Sequence, residues 1–273
     1  MNSSADPGGM HVQESGSPDS PAILLIHGAG QSSREWRAHM ERLADFHCLA
    51  PDLPGHGRSN RLPMPSLDRL VDSLATLIEA RVPAGRAHVV GVSWGANLAQ
   101  ALIRRHPGRV DRVVSDGTPV VWPGGLEGAL ALGFYAVILP FLHTRPVLAM
   151  FRKIVDPADL RLASRWAYWR AIRQCSAGLA AAPAAPCPTL LVAGEKERYI
   201  RRCDTALAAL MPDAEAWYAP GLDHCWQKEA TDLHIRMVEA WCRGEELPAD
   251  LRPEAVAKPA AVELMRRRLA AGA

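Results

Sequence analysis

The chain has 273 residues, of which 48% are hydrophobic and 22% charged, and its formal net charge is +2. This length can bury a full core, so one α/β domain with an insertion is expected. The small net charge, without a long basic run, argues against nucleic acid as a partner. The six cysteines form no Cys-x-x-Cys pair, which predicts reduced thiols and no disulfide framework, zinc site or other metal site.

The start of the chain, MNSSADPGGMHVQESGSPDS, lacks a basic region followed by an apolar region, so it is not a secretory signal, and a cytoplasmic protein is expected. The longest uncharged run covers residues 128–142 and contains Pro140. It is shorter than the roughly 20 residues that cross a bilayer, so no membrane span is expected. We interpret this run as a buried or pocket-lining helix, with a lipid-facing surface as the alternative.

In chain order, residues 1 to about 10 are small and polar and are predicted to be disordered, and MHVQES is a candidate first strand. Short apolar segments predict strands in PAILLIHG, HCLAPDLPG, AHVV, RVDRVVSDG, CPTLLVAGE and AEAWYAPG. Helical spacing, capping residues and stop signals predict helices in REWRAHMERLAD, SLDRLVDSLATLIEARV, ANLAQALIRRH and LHIRMVEAWCRG. This alternation indicates βαβ units around a mostly parallel sheet.

Residues 119–185 interrupt the alternation, because they are apolar, aromatic and rich in alanine without any strand pattern. They are predicted to form a helical insertion, a cap, between the two parts of the core, residues 1–118 and 186–246. Residues 247–273 are predicted to be a solvated tail or a docked helix. Most aromatic side chains of the insertion should pack it onto the core, and two or three should touch a ligand.

The segment GVSWG, residues 91–95, lies between a predicted strand and a predicted helix. A Gly-x-Ser-x-Gly pattern alone is weak, since a chain of this length shows one by chance roughly one time in ten. Its context places Ser93 on a sharp strand-to-helix turn, where the hydroxyl is exposed as a nucleophile. A phosphate-binding loop or a plain tight turn is the alternative interpretation.

A serine hydroxyl needs a base, and the base needs an orienting carboxylate. His224 lies on the predicted loop between the last strand and the last helix, which makes it the candidate base. Glu197, which follows one predicted strand, is the preferred carboxylate, and Asp116, at the end of the preceding predicted strand, is the alternative. Two backbone N–H groups are needed for an oxyanion, and Trp94 and Ala29 are placed to supply them.

Five segments in this order resemble the α/β-hydrolase superfamily: HGAG, PGHGRS, GVSWG, GEKE and a late GLDH. The resemblance covers roughly residues 20–118 and 186–244. It implies a doubly wound sheet, a helical cap over the site and no cofactor, with Ser93 as nucleophile and His224 as base. Glu197 departs from the pattern, which usually has aspartate there. A serine at this turn argues against the epoxide hydrolases and haloalkane dehalogenases, which use an aspartate.

The expected activity is hydrolysis of an ester-type bond in a small, largely apolar substrate through an acyl-enzyme. Trp226, Trp122 and Phe134 are predicted to contact that substrate. Thioester, lactone, carbon–carbon and peroxyacid chemistry use the same groups. Two other classes stay open, a non-hydrolytic small-molecule receptor and a lyase or cyclase that does not need the serine. A monomer or a homodimer is expected.

Overall fold

The computed structural model describes residues 2–5, 9–117, 125–176 and 187–271. In these ranges nine strands form one sheet in the order β1-β2-β4-β3-β5-β6-β7-β8-β9. Their bounds are β1 Asn2–Ala5, β2 His11–Ser15, β3 Ala22–Ile26, β4 His47–Pro51, β5 Ala87–Val92, β6 Val110–Asp116, β7 Thr189–Gly194, β8 Ala214–Ala219 and β9 Arg252–Pro253.

The six strands from β4 to β8 pair in parallel, and the antiparallel pairs lie at the two margins of the sheet. The central strand β3 shows why, because all five of its side chains are buried. Continuous burial of this kind requires helices on both faces, as in parallel sheets. The predicted mostly parallel sheet is confirmed.

The helices flank this sheet on both sides. Their bounds are α1 Arg37–Arg42, α2 Leu67–Arg81, α3 Trp94–Arg105, α4 Gly125–Ile138, α5 Arg145–Phe151, α6 Pro157–Leu162, α7 Arg165–Ser176, α8 Arg198–Ala208, α9 Trp226–Glu229, α10 Thr231–Arg243 and α11 Pro259–Ala271. Side chains of α2, α3, α8 and α11 share one buried cluster with alternate residues of β3, and those of α1 and α10 share the other. The sheet is therefore doubly wound. None of the described helices is long and apolar enough to cross a bilayer.

Helices α4–α7 lie between β6 and β7 and have a small core of their own, which includes Phe151 and Tyr168. Polar contacts tie this helical insertion to the loops at the carboxyl ends of the strands. The hydroxyl of Ser32 donates to Asp159 (2.8 Å), and the indole N–H of Trp94 donates to the side chain of Gln174 (3.0 Å). The insertion is thereby held beside the end of β5.

The first strand and helix α8 differ from the sequence predictions. Residues Asn2–Ala5 were expected to be disordered but pair antiparallel with β2, since strand pairing uses backbone groups and needs no apolar side chains. Helix α8 was not predicted, because its buried face consists partly of small side chains, Cys203 and Ala206, set among arginines. Such a face gives a weak hydrophobic period.

The C-terminal helix α11 packs against α8, and its Met265 and Leu269 join the core. Leu269 is 3% exposed, whereas Leu264 on the same helix is 52% exposed.

We expect Leu269→Ala to lower the free energy of unfolding by about 2–4 kcal/mol, because it removes a buried side chain and leaves a cavity. The matched control Leu264→Ala should change it by less than about 0.5 kcal/mol. Urea denaturation followed by circular dichroism measures both. Equal effects of the two substitutions would show that α11 does not dock.

Candidate active site

Ser93 stands between β5 and α3 with φ +53° and ψ −117°. It is the one non-glycine residue with a positive φ in the part of the chain that the structure describes. Such a backbone costs energy and persists only where its surroundings hold it. Here the N–H of Ser93 donates to the carbonyl of Asp116 (2.7 Å), and the carbonyl of Ser93 accepts from the N–H of Ala96 (3.0 Å).

The two glycines of GVSWG are required by close backbone packing. A Cβ on Gly91 would lie 2.3 Å from the carbonyl oxygen of Gly95, and a Cβ on Gly95 would lie 2.2 Å from that of Ile26. Both distances are far inside van der Waals contact, and the obstacles are backbone atoms that cannot turn away. The turn at Ser93 can therefore form only with glycine at both positions.

His224 lies between Ser93 and Glu197. Its Nε2 is 3.3 Å from the Ser93 hydroxyl, and its Nδ1 is 2.5 Å from Oε1 of Glu197. The second oxygen of Glu197 accepts the N–H of Gly194 (3.1 Å) at the end of β7. This contact fixes the carboxylate, and it holds the imidazole with Nδ1–H toward Glu197 and Nε2 free to accept the serine proton.

The pKa of His224 is raised above its ordinary value. Burial alone would lower it, but the hydrogen bond to Glu197 and the negative charge of Glu197 act in the opposite direction and outweigh it, with smaller contributions from Asp116 and Asp223. The side chain of Glu197 is only 7% exposed and that of His224 is 31% exposed. The carboxylate therefore acts through a medium that screens it weakly, while the imidazole still has access to the site.

The structure places the other candidate carboxylate, Asp116, elsewhere. Its Oδ1 accepts the indole N–H of Trp226 (2.9 Å), and its Oδ2 lies 3.4 Å from Nε2 of His234. His234 in turn contacts His39 through their ring nitrogens (2.8 Å). Burial raises the pKa of Asp116 well above its ordinary value and lowers that of His234 to about 3. Asp116 thus belongs to a buried chain of polar contacts with Trp226 and His234.

The amides of Trp94 and Ala29 are near Ser93. Trp94 is the first residue of α3, so no carbonyl within the helix accepts its N–H. Ala29 follows Gly28, where a Cβ would come 3.5 Å from Cβ of Ser93. Sequence reasoning missed Gln31, whose side chain accepts the N–H of Gly28 (3.0 Å) and donates to the carbonyl of Ile154 in the insertion (3.0 Å).

Of the three predicted substrate contacts, Trp226 requires correction. Trp226 is completely buried in the core and its N–H donates to Asp116, so it is not a pocket wall. Phe134 is 48% exposed on α4 and packs on the ring of Tyr135, and Trp122 lies outside the described residues. The ring of Tyr168 instead approaches Gly30, within 3.1 Å of where a Cβ would stand. No periodicity in the sequence distinguishes Tyr168 from the other aromatic residues of the insertion.

The structure also shows why Gly117 follows β6. Its φ is +61°, and a Cβ there would lie 3.2 Å from the imidazole of His224. A side chain at this position would displace the ring. All six cysteines are buried and none is in a disulfide, and within the described ranges no three His, Cys, Asp or Glu side chains group as metal ligands do.

The fold and this arrangement of side chains define an α/β-hydrolase-type protein. The family model described as "Alpha/beta hydrolase family" matches residues 23–233, and the chain belongs to that family.

Individual relatives give the same picture. An AB hydrolase superfamily protein of Gibberella zeae is 28% identical over 255 residues, which are 86% of this chain and 84% of that protein. Epoxide hydrolase A of Mycobacterium tuberculosis is 34% identical over 117 residues, which are 41% of this chain and 36% of that protein. A solved structure of a marine microorganism esterase has a TM-score of 0.70 at 16% identity and covers 87% of this chain and 100% of that one. At that identity the last comparison concerns the fold alone.

The contact between His224 and Glu197 leads to a test by titration. We expect the pKa of His224 to lie above its ordinary value of about 6.5 and to fall in Glu197→Gln, because burial then acts without an opposing carboxylate. Asp116→Asn should lower it less, since Asp116 does not contact the ring. NMR titration of the histidine side chains, with His224→Ala to assign the signal, measures both shifts. A larger drop in Asp116→Asn would contradict the assignment of Glu197.

Proposed function

We propose that this protein is a serine hydrolase that cleaves an ester-type bond through an acyl-enzyme. The observation that carries the proposal is the unbroken contact chain from the Ser93 hydroxyl through His224 to Glu197. It begins on a strained turn that exposes the hydroxyl at the carboxyl end of a central strand. Relatives named as hydrolases support hydrolysis in general.

In the first half of the proposed reaction, Oγ of Ser93 attacks the substrate carbonyl carbon while Nε2 of His224 takes the hydroxyl proton. Glu197 keeps Nδ1–H in place and stabilises the imidazolium that forms. The N–H groups of Ala29 and Trp94 stabilise the oxyanion of the tetrahedral intermediate. The intermediate then collapses, and His224 gives its proton to the departing alcohol, which leaves the acyl group on Ser93.

In the second half, His224 removes a proton from water, and the hydroxide attacks the acyl carbonyl within the same pair of amides. Collapse of this intermediate returns the proton to Ser93 and releases a carboxylic acid. His224 must be neutral at the start of each half. Activity should therefore rise with pH through the raised pKa of His224.

The side chains around the loop of residues 27–30 support an apolar substrate. Leu160 and Tyr168 lie against Gly30, and Ala29 packs on the insertion's core of aliphatic and aromatic residues. Such a wall suits a small acyl or aromatic group and offers few partners for a charged one. The serine at position 93 also distinguishes this chain from family members that use an aspartate as the nucleophile.

The test is hydrolysis of p-nitrophenyl acetate and butyrate. Wild-type protein should turn over both, and Ser93→Ala should lower kcat by at least about 10⁴-fold, because the covalent step is lost. Glu197→Gln should cost a similar factor, since the histidine then loses its orienting carboxylate. The matched control Glu195→Gln changes a nearby carboxylate that binds the N–H of Gly221, and it should retain activity.

Two results would contradict the proposal and favour another function. Absence of turnover in a folded wild-type protein would favour the small-molecule receptor. Turnover that survives Ser93→Ala would favour a lyase or cyclase in which the serine is dispensable.

A further inference from the structure

The helical insertion carries most of the exposed apolar side chains of the described structure. Ten large hydrophobic side chains are exposed in the described ranges, and all but Val256 and Leu264 lie on the insertion. Exposed patches of this kind mark surfaces that meet another molecule. The eight are Leu130, Phe134, Val137, Phe141, Met150, Ile154, Leu162 and Trp166.

Four of them follow one face of α4 and the turn after it. Leu130, Phe134, Val137 and Phe141 are spaced four, three and four residues apart, which places successive members on one side of a helix. Leu130 and Val137 are 64% and 70% exposed. Helix α4 has the sequence GLEGALALGFYAVI, with a single charged residue. A helix so apolar cannot be explained by contact with the core alone, because this face is turned away from the core.

The charges on the insertion are unbalanced. Arg145, Arg152, Lys153, Arg161 and Arg165 are exposed, and no ion pair joins any of these five to a described residue. Two acidic side chains of the insertion, Asp156 and Asp159, already have partners. Asp156 pairs with Arg34, and the buried Asp159 pairs with Arg34 and accepts from Ser32. The insertion therefore presents free positive charge although the whole chain is only +2.

We propose that the exposed face of the insertion docks on the surface of an anionic phospholipid bilayer. Apolar and aromatic side chains enter the boundary between headgroups and acyl chains, while arginine and lysine pair with the phosphates. Trp166, which is 63% exposed, is of the residue type that favours this boundary. Helix α4 lies on the bilayer and does not cross it, because its 14 residues are fewer than the roughly 20 that a span needs.

The same charges argue against a second copy of the chain as the occupant. A twofold interface brings one patch against an identical patch. The five cations of each copy would then face those of the other copy, while Asp156 and Asp159 already pair with Arg34. A bilayer that contains acidic lipids supplies both the apolar layer and the negative charge.

Docking and catalysis are separate claims with separate measurements. Binding to vesicles needs no turnover, so the docking proposal survives if the proposed ester hydrolysis fails. The insertion is nevertheless tied to the site, since Gln174 accepts from Trp94 and the carbonyl of Ile154 accepts from Gln31. These contacts connect the insertion that carries the proposed docking face to the loops around Ser93.

The experiment is cosedimentation of the full chain with vesicles of phosphatidylglycerol and phosphatidylcholine, and with vesicles of phosphatidylcholine alone. We expect binding to the mixed vesicles, with a blue shift of tryptophan fluorescence, and little binding to the neutral ones. The triple variant Leu130→Ser, Val137→Ser, Phe141→Ser should bind at least about tenfold more weakly, because it removes the apolar anchor. The matched variant Val256→Ser, Leu264→Ser changes the two exposed apolar side chains outside the insertion and should bind as the wild type does.

A charge variant, Arg145→Gln, Lys153→Gln, Arg161→Gln, should also bind about tenfold more weakly and lose the salt dependence of the wild type. The thermal unfolding midpoints of all variants should match the wild type, since every changed side chain is exposed. Equal binding to both kinds of vesicle, or none to either, would overturn the proposal. So would a wild-type dimer in analytical ultracentrifugation that the apolar triple variant abolishes, because a second copy would then cover the face.

Discussion

The left-handed backbone of Ser93 is the constraint on which the rest of the site depends. Holding a serine at φ +53° costs on the order of 1–3 kcal/mol, and the neighbouring backbone of three strands has to maintain it. The carbonyl of Asp116 on β6 accepts the Ser93 N–H, and the end of β3 packs directly against Gly95. Because β3 and β6 are the two neighbours of β5 in the sheet, the rigid parallel core supports the strained turn.

The carboxyl ends of the adjacent strands β6 and β7 carry two carboxylates, Asp116 and Glu197, which have different surroundings. Glu197 keeps the contact with His224, and a backbone N–H fixes its second oxygen. Asp116 is bound by Trp226 and faces His234 in a fully buried region, and its pKa is raised well above the ordinary range. Glu197 is therefore the carboxylate that contacts the imidazole, whereas burial disfavours the charged form of Asp116 within the core.

The alternation of strands and helices could be predicted from the sequence, because apolar runs such as AILLI are local patterns that indicate secondary structure without knowledge of distant contacts. The turn at Ser93 could also be predicted, since only glycine fits at positions 91 and 95. The preference for Glu197 over Asp116 has less support in the sequence, because Asp116 ends β6 and Glu197 follows the adjacent β7. What distinguishes them is which partners surround each carboxylate in space. Trp226 was misassigned for the same reason, since closeness to His224 in sequence does not reveal that its indole turns into the core.

Activation of Ser93 by His224 underlies the whole proposed reaction. It is tested most directly by labelling with a fluorophosphonate, which reacts with activated serines, and by locating the adduct with peptide mass spectrometry. We expect rapid labelling of Ser93 in the wild-type protein and almost none in His224→Ala. Labelling of Ser93 at the same rate in both proteins, or in neither protein, would contradict this activation. The histidine would then contribute nothing to the reactivity of the serine.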